Sequence, residues 1–145
     1  EPFSGLDPIN TNLIKDEIDQ LNKSGTSIIF STHRMEQVEE VCENIILINN
    51  GKKVLEGNVD QIKIDHKENL FKVEFDNSVL NIEDLNNFQV LQSKRDGIDV
   101  KLVDGMKPND LLGSLIKSGA EIKSFNEVLP SINDIFISRV GESQE

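Results

Sequence analysis

The spacing of the apolar residues changes near the middle of this chain, and the change limits the folds that are open to it. From Leu70 onward, apolar residues alternate with charged ones, and this period of two predicts a half-buried antiparallel strand. Before that point, apolar residues recur at helical spacing or in short β-branched runs. Residues 65–69, between the two patterns, are all polar. We therefore predict two domains, residues 1–66 and residues 67–145.

The first part of the chain has the pattern of alternating helices and strands. Asp7 and Pro8 make a favourable helix opening, as N-cap and first helical residue, and the helical spacing then continues to about residue 23. Residues 26–31 are short, apolar and β-branched, which predicts a buried strand of a parallel sheet. A second helix and a hairpin that turns at Asn50-Gly51 follow. This order of elements predicts an α/β fold.

The second part has a different pattern. A second hairpin is predicted to turn at Asp96-Gly97, and a helix, a strand over residues 121–128 and a final helix come after it. The final helix begins at Ser131, where Ser131 and Asp134 resemble a capping box. These elements predict a small α+β domain with an antiparallel sheet.

The composition excludes several classes of protein. The chain has 15 basic and 26 acidic residues and a formal net charge of −11, so we expect no binding to nucleic acid or to anionic lipid. Its apolar runs are far shorter than the ~20 residues that cross a bilayer, so we expect no direct membrane insertion. Cys42 is the only cysteine, and no residues have the spacing of metal ligands, so no metal site is predicted.

The predicted strand at residues 26–31 would place His33 at the carboxyl end of a sheet. If a further strand ended just before Glu1, it would form a right-handed crossover with the helix at 8–23 and run parallel to strand 26–31. Glu1 and His33 would then emerge at the same edge of the sheet. Open α/β sheets bind ligands at that edge, so we expect both side chains to face one ligand.

Two motifs carry a resemblance to a known family. Residues 1–8 read Glu-Pro-Phe-Ser-Gly-Leu-Asp-Pro, and residues 31–33 read Ser-Thr-His. Both resemble the end of the active site in ABC transporter ATPases, with Phe3 in a position where Thr is common. The resemblance implies that the first part of the chain is the C-terminal part of a P-loop NTPase domain.

The resemblance also implies roles for individual residues. Glu1 matches the catalytic carboxylate that orients the water attacking the γ-phosphate of ATP. Ser4 and Asp7 match the D-loop, which meets a second ATPase subunit across the composite site. His33 matches the switch histidine, which contacts the γ-phosphate. The implied cofactors are ATP and Mg²⁺.

Residues 70–141 resemble the small C-terminal domain of a subset of bacterial exporter ATPases, including sodium- and drug-export types. This match depends on residues 131–136, Ser-Ile-Asn-Asp-Ile-Phe. It implies a C-terminal fragment of an ABC transporter ATP-binding protein, with transmembrane permease subunits as partners and a cytoplasmic location at the membrane. The chain has no Gly-x-x-x-x-Gly-Lys-Ser/Thr loop and no Leu-Ser-Gly-Gly-Gln signature, so we expect the fragment alone to be inactive.

Two alternatives remain open from the sequence. One is an ABC ATPase without a membrane partner, although such proteins usually have tandem ATPase halves or coiled inserts. The other is a regulatory or dimerisation module formed by residues 67–145. The full reading frame would distinguish these two alternatives from the transporter. An upstream phosphate loop and adjacent permease genes would support the transporter.

Overall fold

The structure of the chain is a computed structural model. The residues that it describes are 2–76, 85, 87–103 and 105–142. In chain order, the elements are α1 (Pro8–Lys23), α2 (Met35–Val41), β1 (Asn44–Asn49), β2 (Lys52–Asn58), α3 (Val59–Asp65), β3 (Leu70–Asp76), β4 (Gln89–Lys94), β5 (Gly97–Lys101), α4 (Pro108–Lys117), β6 (Glu121–Val128) and α5 (Ile132–Glu142).

The chain divides into two compact units. Unit 1 comprises Glu1–Lys63 together with Ser131–Glu145, and unit 2 comprises Ile64–Pro130. Unit 2 is therefore inserted into the sequence of unit 1, because the chain leaves unit 1 after α3 and returns to it at the start of α5.

Unit 1 has its core around a two-stranded hairpin. Strands β1 and β2 pair antiparallel, and the turn residues Asn50 and Gly51 have φ values of 50° and 71°, as a type I′ turn requires. Along β1, Ile45 and Leu47 point inward and their neighbours point outward. Helices α2, α3 and α5 add the remaining buried side chains of this core, namely Val38, Val59, Ile62, Ile132 and Ile135.

In its described residues, unit 2 is a four-stranded antiparallel sheet with helix α4 packed against it. The strand order is β4-β5-β3-β6, so β3 pairs both with β5 and with β6. Helix α4 is amphipathic and buries Leu111 and Leu115. The buried residues of this core are Phe71, Val73, Phe75, Leu85, Ile98, Val100, Leu102, Leu111 and Leu115. The predicted small α+β domain with an antiparallel sheet is confirmed.

The predicted strand at residues 26–31 is wrong for this structure. These residues have no strand assignment, and Ile29 is 97% exposed. An extended segment becomes a strand only when a neighbouring backbone accepts and donates hydrogen bonds. The described residues provide such a partner for each of the strands β1 to β6 but not for this segment.

Helix α5 belongs to unit 1, whereas the sequence prediction placed residues 67–145 in one domain. The reason lies in the contacts of its apolar face. Ile132 and Ile135 are buried against residues of α2, α3 and the β1–β2 hairpin.

Within the described part of the chain, no helix is both long enough and apolar enough to span a membrane.

Candidate functional site

The first motif forms a tight turn that leads into α1. The backbone N–H of Leu6 donates to the carbonyl oxygen of Phe3 at 3.4 Å, and Gly5 has a φ of 77°. Glycine adopts such a positive φ at little cost, because it has no Cβ. Ser4 lies exposed in this turn. Glu1, the predicted catalytic carboxylate, lies outside the described residues.

Asp7 closes the N-terminus of α1, as the sequence predicts. Its Oδ1 accepts the backbone N–H of Asn10 at 3.0 Å, and its Oδ2 accepts the Asn10 side-chain amide at 2.6 Å. These hydrogen bonds, chiefly the one from the backbone N–H, favour the ionised carboxylate and lower the pKa of Asp7 below its ordinary value. Pro8 then occupies the first helical position, where no N–H is needed.

Phe3 connects this turn to the segment that carries the second motif. Its side chain is only 3% exposed, and its ring contacts the ring of Phe30 edge to face, with the centroids 6.2 Å apart. Lys15 Nζ lies 5.9 Å from the centroid of the Phe3 ring and also forms an ion pair with Glu40 of α2. The first motif, α1 and α2 therefore meet around one aromatic ring.

The second motif is fixed by its threonine. The Thr32 hydroxyl donates to Gln37 Oε1 at 3.0 Å and accepts the backbone N–H of Arg34 at 3.1 Å. Both hydrogen bonds hold the chain at the start of α2. His33 lies between these anchored residues, and its side chain is exposed.

The structure thus brings together the segments of three predicted site residues. Ser4 and Asp7 lie in the turn on one side of the Phe3–Phe30 contact, and His33 follows Phe30 closely in sequence on the other side. The contact joins the two motifs although they are far apart in the sequence.

The described residues do not by themselves form a binding site for a nucleoside triphosphate and its metal ion. A helix N-terminus is a common phosphate site, but the Asp7 carboxylate caps the N-terminus of α1 and would repel an anion. No three His, Cys, Asp or Glu side chains in the described ranges lie together in a way that could hold a metal ion.

Sequence reasoning missed two features of this region. Phe3 was noted only as a departure from the usual Thr, although an aromatic residue between Pro2 and Ser4 is a signal for a buried contact. The sequence around Glu39 gives no sign that its carboxylate is paired with residues that lie 24 and 93 positions further along the chain. No local pattern reports partners at such separations.

Comparison with known proteins defines the class of protein. The family model described as ATP-binding protein DrrA1-3-like, C-terminal domain, matches residues 57–140. The chain belongs to this family. The matched region includes all of unit 2 and the segments of unit 1 on both sides of it.

Individual relatives extend the similarity over the rest of the chain. An uncharacterized ABC transporter ATP-binding protein of Alkalihalophilus pseudofirmus is 35% identical over 97% of the chain and 52% of its own length. The uncharacterized ABC transporter ATP-binding protein YhaQ of Bacillus subtilis is 34% identical over 100% of the chain and 48% of its own length. The methionine import ATP-binding protein MetN of Clostridioides difficile is 29% identical over 86% of the chain and 46% of its own length. The chain spans about half the length of these relatives and corresponds to the C-terminal part of an ABC transporter ATP-binding protein.

Proposed function

We propose that this chain is part of the ATP-hydrolysing subunit of a bacterial ABC exporter. In this proposal Glu1 orients the attacking water, His33 contacts the γ-phosphate, and Ser4 and Asp7 face a second ATPase subunit. Phosphoryl transfer depends mainly on positioning and on stabilisation of charge, so a few side chains at the edge of a larger nucleotide site suffice for these roles.

One observation carries the proposal. The Phe3–Phe30 contact joins the turn that holds Ser4 and Asp7 to the segment that leads to His33. In this proposal Glu1, which precedes that turn in the sequence, and His33 act on one phosphate group. Their segments must then be held at a fixed separation, because small displacements cost much of the rate. A contact between the buried ring of Phe3 and the half-buried ring of Phe30 is one way to hold that separation. In this proposal ATP, Mg²⁺ and the second ATPase subunit complete the site in the full-length protein, and the permease subunits are its membrane partners.

The catalytic assignment is tested by Glu1→Gln in the full-length ATP-binding subunit. The amide keeps the shape of the carboxylate but cannot polarise water, so ATP binding should persist while turnover falls by roughly 10²-fold or more. Glu17→Gln is the matched control, because it removes the same charge from an exposed position of α1. Wild-type turnover in Glu1→Gln would show that the catalytic assignment is wrong.

The direction of transport needs a separate experiment. Residues 131–136, on which the resemblance to exporters depends, lie at the start of α5, and Ile132 and Ile135 are the buried residues among them. The similarity to a methionine import protein makes import the competing direction. Inverted membrane vesicles that contain the full transporter should take up sodium or ethidium in an ATP-dependent way. ATP-dependent methionine uptake by intact cells, without uptake by the vesicles, would indicate import.

The membrane partner is tested by purification. The full-length subunit should copurify with the product of an adjacent permease gene. If it purifies as an active ATPase without any membrane protein, an ABC ATPase that works without a permease becomes the better explanation.

A further inference from the structure

Glu39 of α2 is bonded to two segments of unit 1 that are distant from it in the sequence. Its Oε2 accepts Lys63 Nζ at 2.5 Å, and its Oε1 accepts the backbone N–H of Ile132 at 2.7 Å. The side chains of Glu39 and Lys63 are each 21% exposed, so their ion pair is largely removed from solvent. Ion pairs of this kind are screened less than surface pairs, and breaking one leaves a charge without its partner.

Both partners of Glu39 lie where the chain passes between the two units. Lys63 is the last residue of unit 1 before unit 2 begins, and Ile132 is the second residue after the chain returns. The Glu39 carboxylate therefore bonds both segments, the one that ends at Lys63 and the one that begins at Ser131, to α2. The first N–H groups of a helix have no acceptor within the helix, and Glu39 supplies one for Ile132. Ser131 Oγ accepts the N–H of Asp134, and Asp134 Oδ2 accepts the N–H of Ser131.

The other end of α2 carries the proposed phosphate contact. Thr32 is hydrogen-bonded to Gln37 of α2 and to the backbone of Arg34, so the segment around His33 follows the position of the helix. Val38 of α2 is buried against the same core as Ile132 and Ile135. A shift of α5 would therefore change the support of α2 along this whole face.

We propose that Glu39 is a positioning residue, which holds α2 against both crossings of the chain and thereby fixes His33 for ATP hydrolysis. It does not touch the reacting atoms. This inference rests on the proposed function, because it needs His33 to contact the γ-phosphate.

The test uses the full-length ATP-binding subunit and three variants of this contact. Glu39→Ala removes both interactions, Lys63→Met removes the ion pair and keeps an apolar stem, and Glu39→Gln keeps an acceptor for the Ile132 N–H. Glu36→Ala is the matched control, because Glu36 is an exposed carboxylate on the same helix. ATPase kcat and KM are measured for each, and hydrogen exchange is followed in peptides that cover residues 31–41.

We expect Glu39→Ala to lower kcat about tenfold with little change in the KM for ATP, because a displaced His33 would lose part of its effect on the chemical step. Exchange in residues 31–41 should become faster in the same variant, and Glu39→Gln and Lys63→Met should be intermediate. The control should resemble the wild type. An effect limited to thermal stability, with kcat unchanged at a temperature where the variant is folded, would overturn the inference.

His33→Ala separates this inference from the proposed function. If His33→Ala retains wild-type turnover, both the phosphate contact and the positioning role of Glu39 are wrong. If His33→Ala lowers turnover and Glu39→Ala does not, the proposed function stands and only the role of Glu39 is overturned. If both lower turnover, the double variant should be no slower than His33→Ala alone, because the two residues would act through one contact.

Discussion

Replacing Ile132 with alanine tests the assignment of α5 to unit 1. The Ile132 side chain has no exposed surface and packs in the core of that unit. The change removes three buried carbon groups at roughly 0.8 kcal/mol each, or about 2.4 kcal/mol before any cavity forms. Measured losses for Ile→Ala in protein cores are about 2–5 kcal/mol, since the surroundings collapse only in part.

The assay must report the two units separately. Hydrogen exchange does so, because peptides that cover β1 report unit 1 and peptides that cover β3 report unit 2. Ile132→Ala should accelerate exchange in β1 and leave β3 unchanged. Leu115→Ala is the matched variant, since Leu115 is equally buried but lies in the core of unit 2, and it should have the opposite pattern.

The thermal transition gives the size of the effect. A loss of 1 kcal/mol lowers Tm by about 4–8 °C in domains of roughly 60–100 residues, so Ile132→Ala should lower the unit 1 transition by about 10 °C or more. If Ile132→Ala loosened β3 and left β1 protected, α5 would belong to unit 2, as the sequence pattern suggested. The inserted arrangement of unit 2 would then be refuted.

Two further predictions concern local structure. The cap at Asp7 should be present at ordinary pH and lost as the pH falls, because the lowered pKa of Asp7 means that its ionised form stabilises the fold. In an NMR titration, the amide signal of Asn10 should therefore change with a midpoint below pH 3.8. A midpoint at or above pH 3.8 would contradict the cap. Gly97→Ala should destabilise unit 2 by about 1–3 kcal/mol in urea unfolding, because a Cβ there would lie 2.8 Å from the carbonyl oxygen of Val73. Gly113→Ala in α4 meets no atom within 4 Å and should instead stabilise the unit by about 0.5–1 kcal/mol, so equal effects of the two changes would refute this packing.

Features set by neighbouring residues could be predicted from the sequence. The Asp7 cap followed by Pro8, the turn at Asn50-Gly51 and the start of α5 at Ser131 are all as predicted. In each case a few adjacent residues determine the backbone, since a cap or a two-residue turn satisfies its own hydrogen bonds. The alternation that begins at Leu70 likewise predicted β3, because one face of that strand is buried and the other is solvated.

Features set by distant partners could not be predicted. Residues 26–31 have the composition of a strand, but a strand also needs a backbone to pair with. The apolar face of α5 indicated burial without indicating which core would receive it. For the candidate site, the motifs identified Ser4, Asp7 and His33 as candidates, but the Phe3–Phe30 contact and the pairing of Glu39 depend on tertiary structure.

The insertion of unit 2 has a consequence for the order in which the chain folds during synthesis. Residues 64–130 leave the ribosome as one continuous piece and contain all of their own core. The first segment of unit 1 is synthesised before unit 2, but its core cannot form completely at that stage. The hydrogen bond of Glu39 needs Ile132, 93 residues later, and the core needs the side chains of α5. The segment that carries His33 is therefore synthesised before α5, and the helix that supports it is stabilised only after α5 has been synthesised. A nascent chain that stops before α5 would have a complete unit 2 and an incomplete unit 1, whose exposed apolar residues chaperones and proteases can recognise.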